Sequence, residues 1–195
     1  MIRKAYFEDP AYVPLLRRAY ELGRETEREA GAELLRITGL LMVGKEETEI
    51  IAGARRSAQE HGLPLESLTG HEIKARYPTL KVLDEEVGVL EPDGGVLDPE
   101  RAVEAQLHLA AAAGASMHFG VAMQSWAADA GGFAIEMADG TSLTSRALVL
   151  SLGPWFKNAL ARLGLPIRVD RNVQAWFQPS IGANATPHFP PFRLD

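Results

Sequence analysis

The chain has 195 residues, of which 46% are hydrophobic, and a formal charge of −6; this is enough for one large domain or two small ones around a real core, and too acidic for a nucleic-acid surface. It has no cysteine, which excludes disulfides, zinc–thiolate centres and a cysteinyl nucleophile. No run of about 18 apolar residues occurs and no apolar stretch follows the basic N-terminus, so neither a membrane-spanning helix nor a signal peptide is expected, and a cytoplasmic location is the default.

Asp9 to about Ala30 reads as a helix, with Leu15, Leu16, Ala19, Tyr20 and Leu22 recurring at helical spacing. Its charged residues, Glu27 among them, read as a solvated face. Leu34 to Gly44 reads as one or two strands with a glycine break. Glu46 to about Glu60 is helical, and Leu68 to Tyr77 forms a second, shorter helix. There Thr69 is the expected N-cap, with Glu72 three residues on completing a capping box. Glu86 to Leu90 is a short strand, followed by the turn-rich Glu91-Pro92-Asp93-Gly94-Gly95. Asp98-Pro99 opens a helix to about Ala113. Ser116 to Val121 reads as a short strand. Met123–Ala128, Phe133–Met137 and Thr141–Arg146, joined by Gly131-Gly132 and Asp139-Gly140, form a β-meander. Asn172 to Phe177 is a further strand, and Phe192 to Asp195 starts another after a proline-rich loop.

Between the meander and Asn172 lies Ala147-Leu148-Val149-Leu150-Ser151-Leu152-Gly153-Pro154-Trp155. Four apolar residues in a row suit a strand covered on both faces in a parallel sheet. Gly153-Pro154 would end it, and a helix over Trp155 to about Leu163 would follow. Ligands collect at the carboxyl ends of such strands, so Gly153, Pro154 and Trp155 are candidates to border a cofactor. The bland alternative is a buried strand with a tight turn.

The remaining chemistry is sparse. The five histidines are scattered without metal-ligand spacing, so no metal site is expected. There is no G-x-S-x-G elbow, no P-loop and no G-x-G-x-x-G fingerprint. Arg3 could bind a carboxylate through its guanidinium fork, and Tyr6 could lie beside it on one helical face. Against this stands the ordinary reading of a solvated arginine near a terminus.

Four stretches, in order, resemble the monomeric sarcosine oxidase and N-methyl-tryptophan oxidase family, within the wider D-amino-acid-oxidase-like flavoproteins. They are Met1–Tyr6 with Tyr12–Leu15, Thr38–Gly44, Glu91–Leu97 and Ala147–Trp155. The resemblance implies a mixed α/β (α+β) fold. It would hold part of a flavin-domain sheet with a β-meander, plus part of an antiparallel-sheet substrate domain. Residues 1–30 and 91–165 would belong to the flavin domain, and 31–90 and 166–195 to the substrate domain, the last truncated. It also implies an FAD enzyme that oxidises the C–N bond of a small N-methyl amino acid, with O₂ reduced to hydrogen peroxide. Arg3 would take the substrate carboxylate, with Tyr6 beside it. Met123 would lie where the adenine end is held, and Gly153, Pro154 and Trp155 close to the flavin.

The same resemblance makes the chain an internal fragment, without the family's dinucleotide fingerprint or its flavin-linking cysteine. A flavin-free, non-catalytic remnant is therefore the alternative expectation. A helix N-terminus that would stabilise the pyrophosphate is missing, and an unpaired apolar strand would drive homo-oligomerisation.

Overall fold

The computed structural model describes residues 1–156, 164–175 and 189–194. The chain divides into two compact units, Met1–Ala115 with Pro179–Asp195, and Ser116–Gln178.

The first unit is built on β2, Leu40–Gly44, all of whose residues are buried. It pairs antiparallel with β4, Val87–Glu91, and β4 pairs antiparallel with β3, Glu66–Thr69. On its other edge β2 runs parallel to β9, Phe192–Leu194. Side chains alternate across a strand, and β2 obeys this. Leu40 and Met42 join a cluster with Ala5, Phe7, Ile50, Ile51, Ala54 and Val89. Leu41 and Val43 join a second cluster with Leu68, Ile73, Tyr77 and Leu90. The first face is covered by α2, Glu49–His61, and the second by α3, Gly70–Arg76. The capping box opens α3 as expected: Thr69 Oγ1 accepts the Glu72 amide and the Glu72 carboxylate accepts the Thr69 amide.

A smaller sheet joins β1, Leu35–Ile37, to β5, Gly95–Leu97. The expected break falls at Gly39, whose φ of 78° lies in the left-handed region. Two helices complete the unit. A short 3₁₀ turn, Pro10–Tyr12, leads into α1, Val13–Ala30, and Asp98 caps α4, Pro99–Ala112, by accepting the Arg101 amide. The charged face of α1 is mostly solvated, but Glu27 departs from it. Its carboxylate accepts the Leu34 and Leu35 amides at 2.7 Å each and pairs with Arg24. Burial by itself would raise this carboxyl; the two amides and the guanidinium outweigh it and hold the group below its usual range. Glu27 thus fastens the end of α1 to the start of β1.

The second unit carries the expected meander: β6, Met123–Asp129, β7, Gly132–Met137, and β8, Ser142–Ser145, paired antiparallel in that order. Its turns use the expected residues. Asp129 Oδ1 accepts the Gly131 amide, Asp139 Oδ1 accepts the Thr141 amide, and Gly140 takes a φ of 86°.

Several expectations are corrected. Ala147–Leu150 is neither a strand nor buried; Val149 is 88% exposed. A strand requires a neighbour to satisfy its amides and carbonyls, and among the described residues none pairs with this stretch. Apolar composition therefore did not suffice. The same reason removes the strand expected over Ser116–Val121 and the part of Asn172–Phe177 that is described. The helix expected after Trp155 lies largely outside the described residues. Gly95 is a strand residue rather than part of a turn.

Candidate functional site

Met1 to Asp9 forms an arm without helix or strand of its own, apart from one bridging residue. Three features of the first unit hold it. Ile2 exchanges both backbone hydrogen bonds with Gly95, at 2.8 and 2.9 Å. A side chain on Gly95 would be excluded, because its Cβ would sit 2.0 Å from the Arg36 carbonyl oxygen. Next, the Lys4 and Ala5 amides donate to the two carboxylate oxygens of Glu91, at 2.6 and 3.0 Å. Finally, α2 approaches at Gly53, where a Cβ would stand 2.0 Å from the Phe7 carbonyl oxygen, and Ser57 Oγ donates to the Tyr6 carbonyl one turn on.

Glu91 is only 1% exposed. Burial pushes its carboxyl above the usual range, and the two amides pull the other way. Nearby, Lys4 Nζ pairs with Asp93 at 2.8 Å and lies 4.8 Å from the Tyr20 ring centroid. Tyr20 donates its hydroxyl hydrogen to the Asp93 carbonyl. Burial, with the Glu91 and Asp93 carboxylates, raises the Tyr20 hydroxyl well above its ordinary value.

The fixed arm presents Arg3. Its guanidinium carbon lies 4.4 Å from the Tyr6 ring centroid and 4.7 Å from that of Phe7, within cation–π range. The side chain is 14% exposed, and Nη2 donates to both Glu8 carboxylate oxygens at 3.1 Å. Arg3 Nε is buried and has no hydrogen-bond partner among the described residues. Arg3 is therefore not a solvated terminal arginine. It does meet Tyr6, but through a folded-back arm rather than along a helical face. Arg3 and Tyr6 also line a cleft of about 580 Å³ walled mainly by apolar residues of α1, with Ala102 and Gln106 of α4.

Met123, Gly153, Pro154 and Trp155 all belong to the second unit. Met123 opens β6 opposite Met137. Gly153–Trp155 form a single 3₁₀ turn in which Gly153 takes a φ of 52° and Trp155 is 73% exposed. A flavin needs its ring enclosed, whereas Gly153–Trp155 stand open to solvent and Met123 is half-buried. By themselves they do not make a cradle for FAD. Among the described residues no group of histidine, aspartate and glutamate could hold a metal ion, and no helix is long and apolar enough to cross a membrane.

Sequence reasoning missed Glu8, Glu91 and Gly53. Glu91 offered one signal, an acid directly after the apolar run Val87–Leu90. The partners that bury it, the Lys4 and Ala5 amides, lie 87 and 86 residues away. Gly53 sits in an unremarkable helical segment and gave no signal.

Solved amino-acid oxidases match most of the chain. A mutant of NikD, described as an unusual amino acid oxidase essential for nikkomycin biosynthesis, superposes with a TM-score of 0.75 at 25% identity, over 83% of this chain and 42% of that one. Glycine oxidase from Geobacillus kaustophilus gives a TM-score of 0.64 at 25% identity, over 79% of this chain and 43% of that one. The fold is thus that of the FAD-linked amino-acid oxidases. In particular, the family model described as FAD dependent oxidoreductase matches residues 1–193, and the chain belongs to that family. Monomeric sarcosine oxidase from Streptomyces avermitilis is 41% identical over 191 residues, covering 98% of this chain and 48% of that protein. N-methyl-L-tryptophan oxidase from Yersinia pestis is 29% identical over 195 residues, covering 52% of its length. The chain spans about half the length of the curated relatives it matches.

Proposed function

We propose that this chain supplies the carboxylate-binding part of an FAD-dependent oxidase acting on the C–N bond of small N-methyl amino acids. The relatives named sarcosine oxidase and N-methyl-L-tryptophan oxidase support the reaction class. In this reading 1–30 and 91–165 serve the flavin domain, and 31–90 and 166–195 the substrate domain. FAD, when bound, accepts the electrons. Met123 and Gly153–Trp155 contribute one border of its site, the rest coming from other parts of the enzyme.

One observation carries the proposal: Arg3 already holds a carboxylate. Glu8 occupies Nη2 through both oxygens, while the buried Nε has no hydrogen-bond partner among the described residues. A substrate carboxylate that displaced Glu8 could engage Nε and Nη2 together, a bidentate geometry stronger than the existing contact. The arm's three anchors keep the guanidinium in place without help from the ligand, which lowers the ordering cost of binding.

Titrating N-methylglycine into the 195-residue chain will move the Arg3 Nε–H resonance, whereas dimethylamine, which lacks the carboxylate, will leave it unchanged. Arg3→Ala will weaken N-methylglycine binding roughly 30- to 100-fold. An Arg3 resonance indifferent to N-methylglycine would remove the assignment.

A second reading, a flavin-free remnant that self-associates, is favoured by the partly exposed Ala147–Leu150 stretch, which pairs with no strand among the described residues. On this reading the purified chain stays colourless after incubation with FAD and gel filtration, and elutes larger than a monomer. Co-eluting flavin absorbance would eliminate it.

A further inference from the structure

Arg193 stands on β9, the edge strand beside β2, in register with Met42. Met42 faces the cluster that contains Phe7 and Ala5. The neighbours of Arg193, Phe192 and Leu194, lie opposite Leu41 and Val43, which face the other cluster. The two-residue period thus places Arg193, itself exposed, on the Phe7 side of the sheet. Its guanidinium carbon is 4.7 Å from the Phe7 ring centroid, the same distance as that of Arg3. The two guanidinium centres are therefore no further apart than twice that distance. Arg3 has the Glu8 carboxylate as partner, and among the described residues Arg193 has no acidic partner.

We propose that Arg3 and Arg193 form a seat for two carboxylates, so that the substrate class is an N-methyl amino acid with a second acidic group. The proposal rests on the reading of Arg3 as the α-carboxylate ligand. A carboxylate carbon sits about 4 Å from the guanidinium carbon it pairs with. Carboxylate carbons three or four bonds apart lie about 4–5 Å from each other. An acid of that length spans two cations held on one ring. The competing role for Arg193 is an inward-pointing charge that protects an edge strand from pairing with another sheet. That role needs a charge on the edge, and it does not need the guanidinium on the ring that Arg3 shares.

The test compares N-methylglutamate, its neutral isostere N-methylglutamine, and N-methylglycine, each titrated into the 195-residue chain and its variants by calorimetry with the Arg3 Nε–H resonance as a second readout. N-methylglutamate will bind roughly five- to ten-fold more tightly than N-methylglutamine. Arg193→Met will abolish that preference and leave N-methylglycine affinity unchanged. Arg193→Lys will keep part of it. Arg193→Gln serves as the charge-free variant if circular dichroism finds the methionine variant unfolded. Equal binding of the acid and its amide overturns the two-carboxylate seat while leaving the Arg3 reading intact, as does a preference that survives loss of the Arg193 charge. Failure of all three ligands to move the Arg3 resonance removes the Arg3 reading itself, and this proposal with it.

Discussion

Glu91→Ala will lower the stability of the first unit by about 3 kcal/mol and release the arm that carries Arg3 and Tyr6. Among the described residues the Lys4 and Ala5 amides have only this carboxylate as acceptor, at 2.6 and 3.0 Å. Hydrogen bonds to a charged group contribute about 1.5–3 kcal/mol each, and a buried donor left without a partner costs about 1–3 kcal/mol. Released arm residues regain contact with water, which keeps the total near one such bond and its penalty rather than the sum of all of them. Glu91→Gln will cost less, about 1–2 kcal/mol, because one amide keeps a carbonyl acceptor while the other meets an NH₂ group. Denaturant titration measures both, and amide exchange at Lys4 and Ala5 reports the arm directly.

The glutamine variant also changes the pH dependence. Burial raises the Glu91 carboxyl above its ordinary value of 4.5 in the folded chain. The folded state therefore holds this proton more tightly than the unfolded state does. Its contribution to stability is fully present below the ordinary carboxylate value and is lost as pH rises through the raised one. Glu91→Gln removes that slope. An unchanged profile in the variant would mean that another group titrates there.

Gly53→Ala will destabilise the same unit by about 3 kcal/mol, although it places the best helix former in the middle of α2. The added methyl would sit 2.0 Å from the Phe7 carbonyl oxygen and 2.8 and 2.9 Å from two further Phe7 backbone atoms. Backbone cannot rotate away as a side chain can, so the arm must lift from the helix. Lifting it also strains the Ser57 bond to the Tyr6 carbonyl and moves Phe7, on which Arg3 and Arg193 both stack. The gain in helix propensity, about 1 kcal/mol, does not offset this. Gly23→Ala in α1 provides the contrast. Its methyl would meet the Leu35 Cδ1 atom at 2.6 Å, the tip of a flexible side chain, so thermal unfolding will place that variant close to the parent. Equal effects of the two substitutions would mean that Gly53 does not seat the arm.

These two residues also separate what was legible in the chain from what was not. Helix starts were written locally. Asp98-Pro99 and the Thr69–Glu72 box act within a single turn, so neighbouring residues suffice to identify them. The meander was equally readable, because Asp139-Gly140 and Gly131-Gly132 dictate their turns and the strands between them pair with the next segment along. Arg3 and Tyr6 were picked out as a pair from their residue types and spacing and again through the family resemblance, although the folded-back geometry that joins them was not. The Ala147–Leu150 stretch misled, since hydrophobicity describes what a strand wants against it and not whether a partner is there to pair.

The amino-acid sequence alone determined the helix caps, the turns of the meander and the family, because capping and turn formation act over a few residues. Tertiary structure alone decided that Glu91 is buried under the arm, that Gly53 and Gly95 are contact points, and that Arg193 shares an aromatic ring with Arg3. Each of those facts depends on groups brought together from opposite ends of the chain, and no local pattern records which distant backbone will arrive.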